Sequence, residues 1–154
     1  MCRFLVFVVV VLTAAPVRAD FWDGFVAYRA GNFEAARTQW APLAEQGGVD
    51  AQYFLGVMYL YGEGVSQDDF QAADWIGRAA DQGHAPAQYL IGILYRTGEG
   101  VPQNFVESLK WLTLAAAQGY GPAIETRALV AKHMAPGLKE QARNLAETWL
   151  EEHP

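Results

Sequence analysis

The chain has 154 residues, about half of them apolar, and a net charge of −6 at pH 7. That length suits one domain large enough to bury a core. An acidic balance without any basic run argues against nucleic acid or an anionic membrane as the main partner.

Met1-Cys2-Arg3 leads into FLVFVVVVLTAA (residues 4–15), then Pro16 and Val17-Arg18-Ala19. A short basic start, an apolar centre and a small-residue site form the pattern of a secretory signal peptide, with cleavage expected after Ala19. The alternative, an uncleaved anchor, offers about a dozen apolar residues where a spanning helix needs about 20. Cleavage removes Arg3 and Arg18 but no acid, leaving 9 Lys and Arg against 17 Asp and Glu, a charge of −8 for residues 20–154. It also removes Cys2, the only cysteine, so packing alone must hold the exported domain. The expected location is the periplasm or the medium outside the cell.

Internal repetition dominates the remainder. Residues 51–86 align with 87–122 without a gap and share 16 identities in 36 positions. The unit extends upstream as GNFEAARTQWAPLAEQG (31–47), so that Gly47, Gly83 and Gly119 lie 36 residues apart. Stacked supersecondary units are expected from such a period. Each unit reads as two helices. The first starts near Asp50 or Pro86 and stops before Gly62 or Gly98. The second starts at the N-caps Asp68 or Asn104, with Gln71 or Glu107 three residues on in a capping-box pattern, and stops at Gly83 or Gly119. Asn32 caps the equivalent helix upstream, with Phe21–Ala30 as its partner. Trp75 and Ala79, like Trp111 and Ala115, are four apart and share a helical face. Gly56 and Gly92 sit within helices, where glycine costs about 1 kcal/mol relative to alanine. Their recurrence predicts close approach by the partner helix, with its tryptophan the expected neighbour.

Beyond Gly121, residues 122–134 form a last first-type helix. Gly137–Glu152 is expected to be an amphipathic cap with Leu138, Ala142, Leu145, Trp149 and Leu150 on one stripe. The domain plan is therefore a signal peptide at 1–19 and a repeat domain at 20–154. Within the latter, central repeats cover 51–86 and 87–122, partial repeats 21–50 and 123–134, and the cap 137–152. About eight helices in four hairpins result.

The pattern Ala-Gln-x-x-Leu-Gly-x-x-Tyr-x-x-Gly-x-Gly-Val, an acidic or amide cap, a tryptophan and Ala-Ala-x-Gln-Gly resembles the Sel1-like repeat, a relative of the tetratricopeptide repeat. The resemblance implies an all-α fold, a right-handed α-solenoid of antiparallel helix hairpins. It also implies protein–protein interaction and adaptor roles, for exported members in envelope signalling or assembly, with no cofactor and no reaction. A cysteine-rich branch of the family is linked to β-lactam binding or hydrolysis. A secreted hydrolase acting on β-lactam or cell-wall substrates is accordingly the alternative, although the mature chain lacks cysteine.

Candidate sites divide accordingly. GEGV at 62–65 and 98–101 lacks the preceding strand and following lysine of a phosphate loop, and it supplies a single carboxylate where calcium needs several oxygens. The expected role is a bend, with Val65 and Val101 tucked between hairpins. His84, His133 and His153 have no metal-ligand spacing, and Ser66 and Ser108 have no equivalent serine in the other repeat. The register implied by the Leu-Gly-x-x-Tyr match places concave-groove positions at Tyr53, Val57, Leu60 and Tyr61, then Tyr89, Ile93, Arg96 and Thr97. The outer units add Trp22, Val26 and Arg29, then Glu125, Leu129 and Lys132. An aromatic and aliphatic track edged by Arg29, Arg96 and Lys132 suits a peptide or protein segment. The competing reading places Tyr53 and Tyr89 in the packing between hairpins.

Overall fold

A computed structural model describes residues 20–154; the expected signal peptide at 1–19 lies outside the described residues. Eight helices and no strand occur among the described residues: α1 (Phe21–Arg29), α2 (Phe33–Glu45), α3 (Val49–Tyr61), α4 (Asp69–Asp81), α5 (Ala85–Thr97), α6 (Phe105–Ala117), α7 (Gly121–Lys132) and α8 (Pro136–Glu152). From α1 to α7 each helix packs on the next in the chain, and α8 lies back against α6. This is the expected all-α solenoid.

Local chemistry sets the helix starts. Asp68 Oδ1 accepts from the amides of Phe70 and Gln71, and Asn104 Oδ1 from those of Val106 and Glu107. Only this half of the expected capping box forms. The amides of Asp68 and Asn104 donate to the carbonyls of Tyr59 and Tyr95, at 3.0 and 2.8 Å, instead of to Gln71 and Glu107. The cap thus ties the two helices of a hairpin together. Between them, the GEGV bends place Gly62 and Gly64 at φ +69° and Gly98 and Gly100 at +81° and +68°, in the left-handed region. Val65 and Val101 pack against the buried clusters beneath, as expected.

The mid-helix glycines mark the closest helix contacts. A Cβ at Gly56 would fall 2.6 Å from Ile76 Cγ1 and 3.1 Å from the Ala72 carbonyl oxygen; one at Gly92 would meet Leu112 at 3.0 Å and the Ser108 carbonyl at 3.2 Å. The expected tryptophans are not the neighbours. Trp75 packs against the cluster that contains Trp40 and Met58, and Trp111 belongs to the cluster that contains Ile76 and Leu94. Only in the first hairpin does a tryptophan meet the glycine, where a Cβ at Gly24 would fall 2.4 Å from Trp40 Nε1.

A ladder of glutamines joins successive hairpins. Gln52 and Gln88 are buried, and their amides donate to the carbonyls of Ala44 and Ala80 near the ends of α2 and α4. Their own side-chain oxygens accept from Gln82 and Gln118 at 2.7 and 2.8 Å. Each glutamine adds a second, buried donor to a helix-end carbonyl that also accepts from the amide of Gly47 or Gly83. The Ala-Gln and Ala-Ala-x-Gln-Gly ends of the repeat are thereby two halves of one contact.

At the C-terminal end, α8 buries Ala142 and Ala146 and sets Trp149 6.2 Å from Trp111. Leu138 and Leu150, expected on the same apolar stripe, are 44% and 50% exposed. Packing on α6 instead of α7 turns both ends of that stripe away from the core.

Candidate concave interaction face

The first-type helices α1, α3, α5 and α7 carry the expected groove positions, and each does so with a different degree of burial. Tyr53 is half-buried between Phe54, at a ring distance of 5.3 Å, and His84, at 4.8 Å. Tyr89 is half-buried with its ring 5.4 Å from Tyr120. His84 and Tyr120 occupy equivalent turns at the head of the next hairpin. Each tyrosine therefore leans on the neighbouring unit while keeping part of its ring in solvent. Burial, with nearby Tyr120 and Tyr61 phenols, pushes the Tyr53 hydroxyl above its usual range. The phenol stays protonated and able to donate.

Val57 and Ile93 are half-buried, Tyr61 and Leu129 are exposed, and Arg29, Arg96, Thr97, Glu125 and Lys132 stand in solvent. Leu60 is only 9% exposed and belongs to the core that includes Ile76 and Leu94. It nonetheless shares a shallow cavity of about 310 Å³ with Tyr61 and Ile93, floored by Leu90 and Leu94. Arg96 and Leu129 meet in a second cavity nearer the C-terminus. Arg29, Arg96 and Lys132 lie in the last turns of α1, α5 and α7, where a cation also complements the helix dipole.

Trp22 and Val26 are about two-thirds exposed. They do not occupy the repeat position of Tyr53 and Val57. Gly24 meets Trp40 as Gly56 meets Ile76 and Gly92 meets Leu112. That match places Phe21 and Phe25 opposite Tyr53 and Val57. The loop from α1 to α2 covers only 30–32, whereas the loop from α3 to α4 covers 62–68. The shorter loop shifts the register, and sequence reasoning missed Phe21 and Phe25 for that reason. Their rings pack against Phe54, each at 5.8 Å, and extend the aromatic surface toward α1. Tyr120 was also missed as part of this face, although its pairing with His84 at the repeat period carried the signal.

Two of the three histidines, His84 and His153, have structural roles. His84 Nδ1 accepts from the Ala87 amide as the N-cap of α5, and Nε2 stands 3.3 Å from Asp50. Burial lowers its pKa, partly offset by Asp50. His153 stacks on Trp149 at 4.2 Å. Ser108 is fully buried beneath Gly92. Among the described residues, no group of three or more His, Cys, Asp or Glu side chains is placed to hold a metal ion. No helix there is long and apolar enough to cross a membrane.

Comparison with known proteins agrees with this architecture. The Sel1 repeat family model matches residues 49–84 and 85–120. No curated protein sequence matches the chain. Among solved structures, a protective antigen present in uropathogenic Escherichia coli strains, displaying an SLR fold, is similar with a TM-score of 0.80 and 29% identity. That match covers 84% of this chain and 29% of the antigen. A Sel1 repeat protein from Oxalobacter formigenes is similar with a TM-score of 0.69 and 32% identity, over 72% of this chain and 46% of that one. The chain thus spans less than half of either relative. Two family-matched repeats, set in an unbroken stack of hairpins with their glycines and glutamines in equivalent contacts, make residues 49–120 a Sel1-repeat array.

Proposed function

We propose that the chain is an exported adaptor, periplasmic or secreted, that holds a protein or peptide segment along its concave face. Sel1 repeats are a protein-interaction scaffold, and the finer reading rests on one observation. Half-buried Tyr53 and Tyr89, with exposed Tyr61 and Leu129 beside them, form a partly solvated apolar track in a chain whose net charge is negative. Cations from the last turns of α1, α5 and α7 edge that track. Aromatic side chains of this kind anchor interfaces, and rim cations select acidic partners. A role in envelope signalling or assembly fits an exported adaptor. Nothing in the geometry favours the hydrolase alternative, since His84 is committed to capping a helix and Ser108 is sealed in the core.

The Tyr53→Ala/Tyr89→Ala variant is expected to lose capture of the specific partner that the parent chain retrieves from envelope extract, with an unchanged far-UV circular dichroism spectrum. Loss of helical signal would return both tyrosines to the packing between hairpins; unchanged capture would move the interface elsewhere. Export is tested separately. Mass spectrometry of the chain recovered from the envelope or medium is expected to show an N-terminus at Asp20, and a chain retaining Met1 in the cytosol would overturn it.

A further inference from the structure

The two GEGV bends do more than turn the chain, because each covers the start of a second-type helix in the hairpin before it. Gly64 lies on Phe33 at the start of α2, where an added Cβ would fall 2.7 Å from the Phe33 Cβ, and Val65 packs into the same cluster. Glu63 accepts a hydrogen bond from the Tyr28 hydroxyl at 2.5 Å. One repeat later, Gly100 lies on Asp69 at the start of α4, and Val101 packs beneath. The equivalent third seat is at Phe105, the first residue of α6, and it is uncovered. The loop that would cover it, from α7 to α8, spans only 133–135, whereas the covering loops span 62–68 and 98–104. Ala135 stands at the repeat position of Glu63 and Glu99.

The uncovered seat is a cavity of about 500 Å³ walled by Phe105, Leu129, Met134 and Leu138 and edged by Arg96 and His133. Phe105, Leu129 and Leu138 are each 44–63% exposed there. In the register set by the mid-helix glycines, Arg96 occupies the place of Tyr28, the residue that donates to the covering glutamate. Arg96 and neighbouring Lys132 enter no ion pair among the described residues. No carboxylate lines the cavity.

We propose that this seat binds a glycine-flanked Glu-Gly-aliphatic bend supplied by a different polypeptide, with its glutamate on Arg96 and its aliphatic side chain against Phe105. Both filled seats show the glycine and aliphatic contacts of the occupant, and the first, where Tyr28 donates to Glu63, also shows its glutamate contact. Arg96 strengthens that contact, since a hydrogen bond to a charged donor is stronger than one to a phenol. A second copy of this chain is a poor donor because both of its own bends are already docked. The seat shares Arg96 and Leu129 with the concave track, but Phe105, Met134 and Leu138 lie outside it.

A head-to-tail cyclic peptide of the sequence Gly-Glu-Gly-Val-Pro-Gln-Asn, titrated into ¹⁵N-labelled protein, tests this, with the ring pre-organising the bend. Saturable shifts are expected at the amides of Phe105, Leu129, Met134 and Leu138. Replacing the peptide's glutamate by glutamine is expected to weaken binding about tenfold. Phe105→Ser, at an exposed position whose folding the same spectrum checks, is expected to abolish it, while Tyr53→Ala/Tyr89→Ala leaves it unchanged. The absence of saturable shifts at millimolar peptide, or equal binding of the glutamine peptide, would overturn the proposal. So would self-association by sedimentation that Phe105→Ser abolishes, because the seat would then belong to a second copy.

Discussion

Gly100→Ala is expected to destabilise the chain by about 2–5 kcal/mol, a large fraction of the stability of a domain this size. Two effects add. The residue has φ +68°, where an L side chain costs about 1–2 kcal/mol. The new methyl would also fall 1.9 Å from the Asp69 carbonyl oxygen and 2.5 Å from its carbon. Those are backbone atoms that no rotamer change can move, so the whole bend must lift from α4, at an overpacking cost of about 1–3 kcal/mol. Gly31→Ala separates the terms, because Gly31 has φ +77° and a methyl added there would meet nothing within 4 Å. It should show the backbone strain alone. Urea unfolding of both variants is the measurement, and equal losses would show that Gly100 is kept only for its dihedral angle.

Gly56→Leu is expected to destabilise by about 3 kcal/mol, against a helix-propensity gain of nearly 1 kcal/mol. The first added carbon already meets Ile76 Cγ1 at 2.6 Å and the Ile76 amide nitrogen at 3.0 Å. The remaining atoms of leucine have no space unless α3 and α4 separate. Gly77, within α4, has open space around it; Gly77→Ala should therefore stabilise by about 0.5–1 kcal/mol. Combining Gly56→Ala with Ile76→Ala should cost less than the sum of the single changes, since the truncated side chain removes the shortest of the three close contacts. Additive losses would mean that the glycine answers to the Ala72 carbonyl instead of to the isoleucine.

These contrasts show what a repeated residue can and cannot disclose. The recurrence of Gly56 at Gly92 announces close approach, but the partner is Ile76 or Leu112, one residue beyond the tryptophan expected from the pattern. On a helix, adjacent positions point about 100° apart. Trp75 thereby joins the cluster around Trp40 and Met58 while Ile76 faces the glycine. The glutamines are similar. Gln52 and Gln82 recur in sequence, yet only stacking brings them within 2.7 Å. The half-formed capping boxes follow the same logic, since a tertiary acceptor on Tyr59 or Tyr95 takes the amide first. The first hairpin is the hardest case, because its short loop breaks the 36-residue register and hides the equivalence of Phe21 with Tyr53.

By itself the sequence determined the all-α class, the helix order, the bends and the Sel1 repeats. Those properties depend on local periodicity, caps and glycines, all contained within one repeat and written at least twice. The tertiary structure alone decided which face each aromatic shares. Tyr53 and Tyr89 are half-buried because their rings meet His84 and Tyr120 across a hairpin boundary. Phe105 is exposed because the three-residue loop over 133–135 lines its cavity without forming a bend that lies on it. Both outcomes depend on how one hairpin stacks on the next, a relation between units that no single unit encodes.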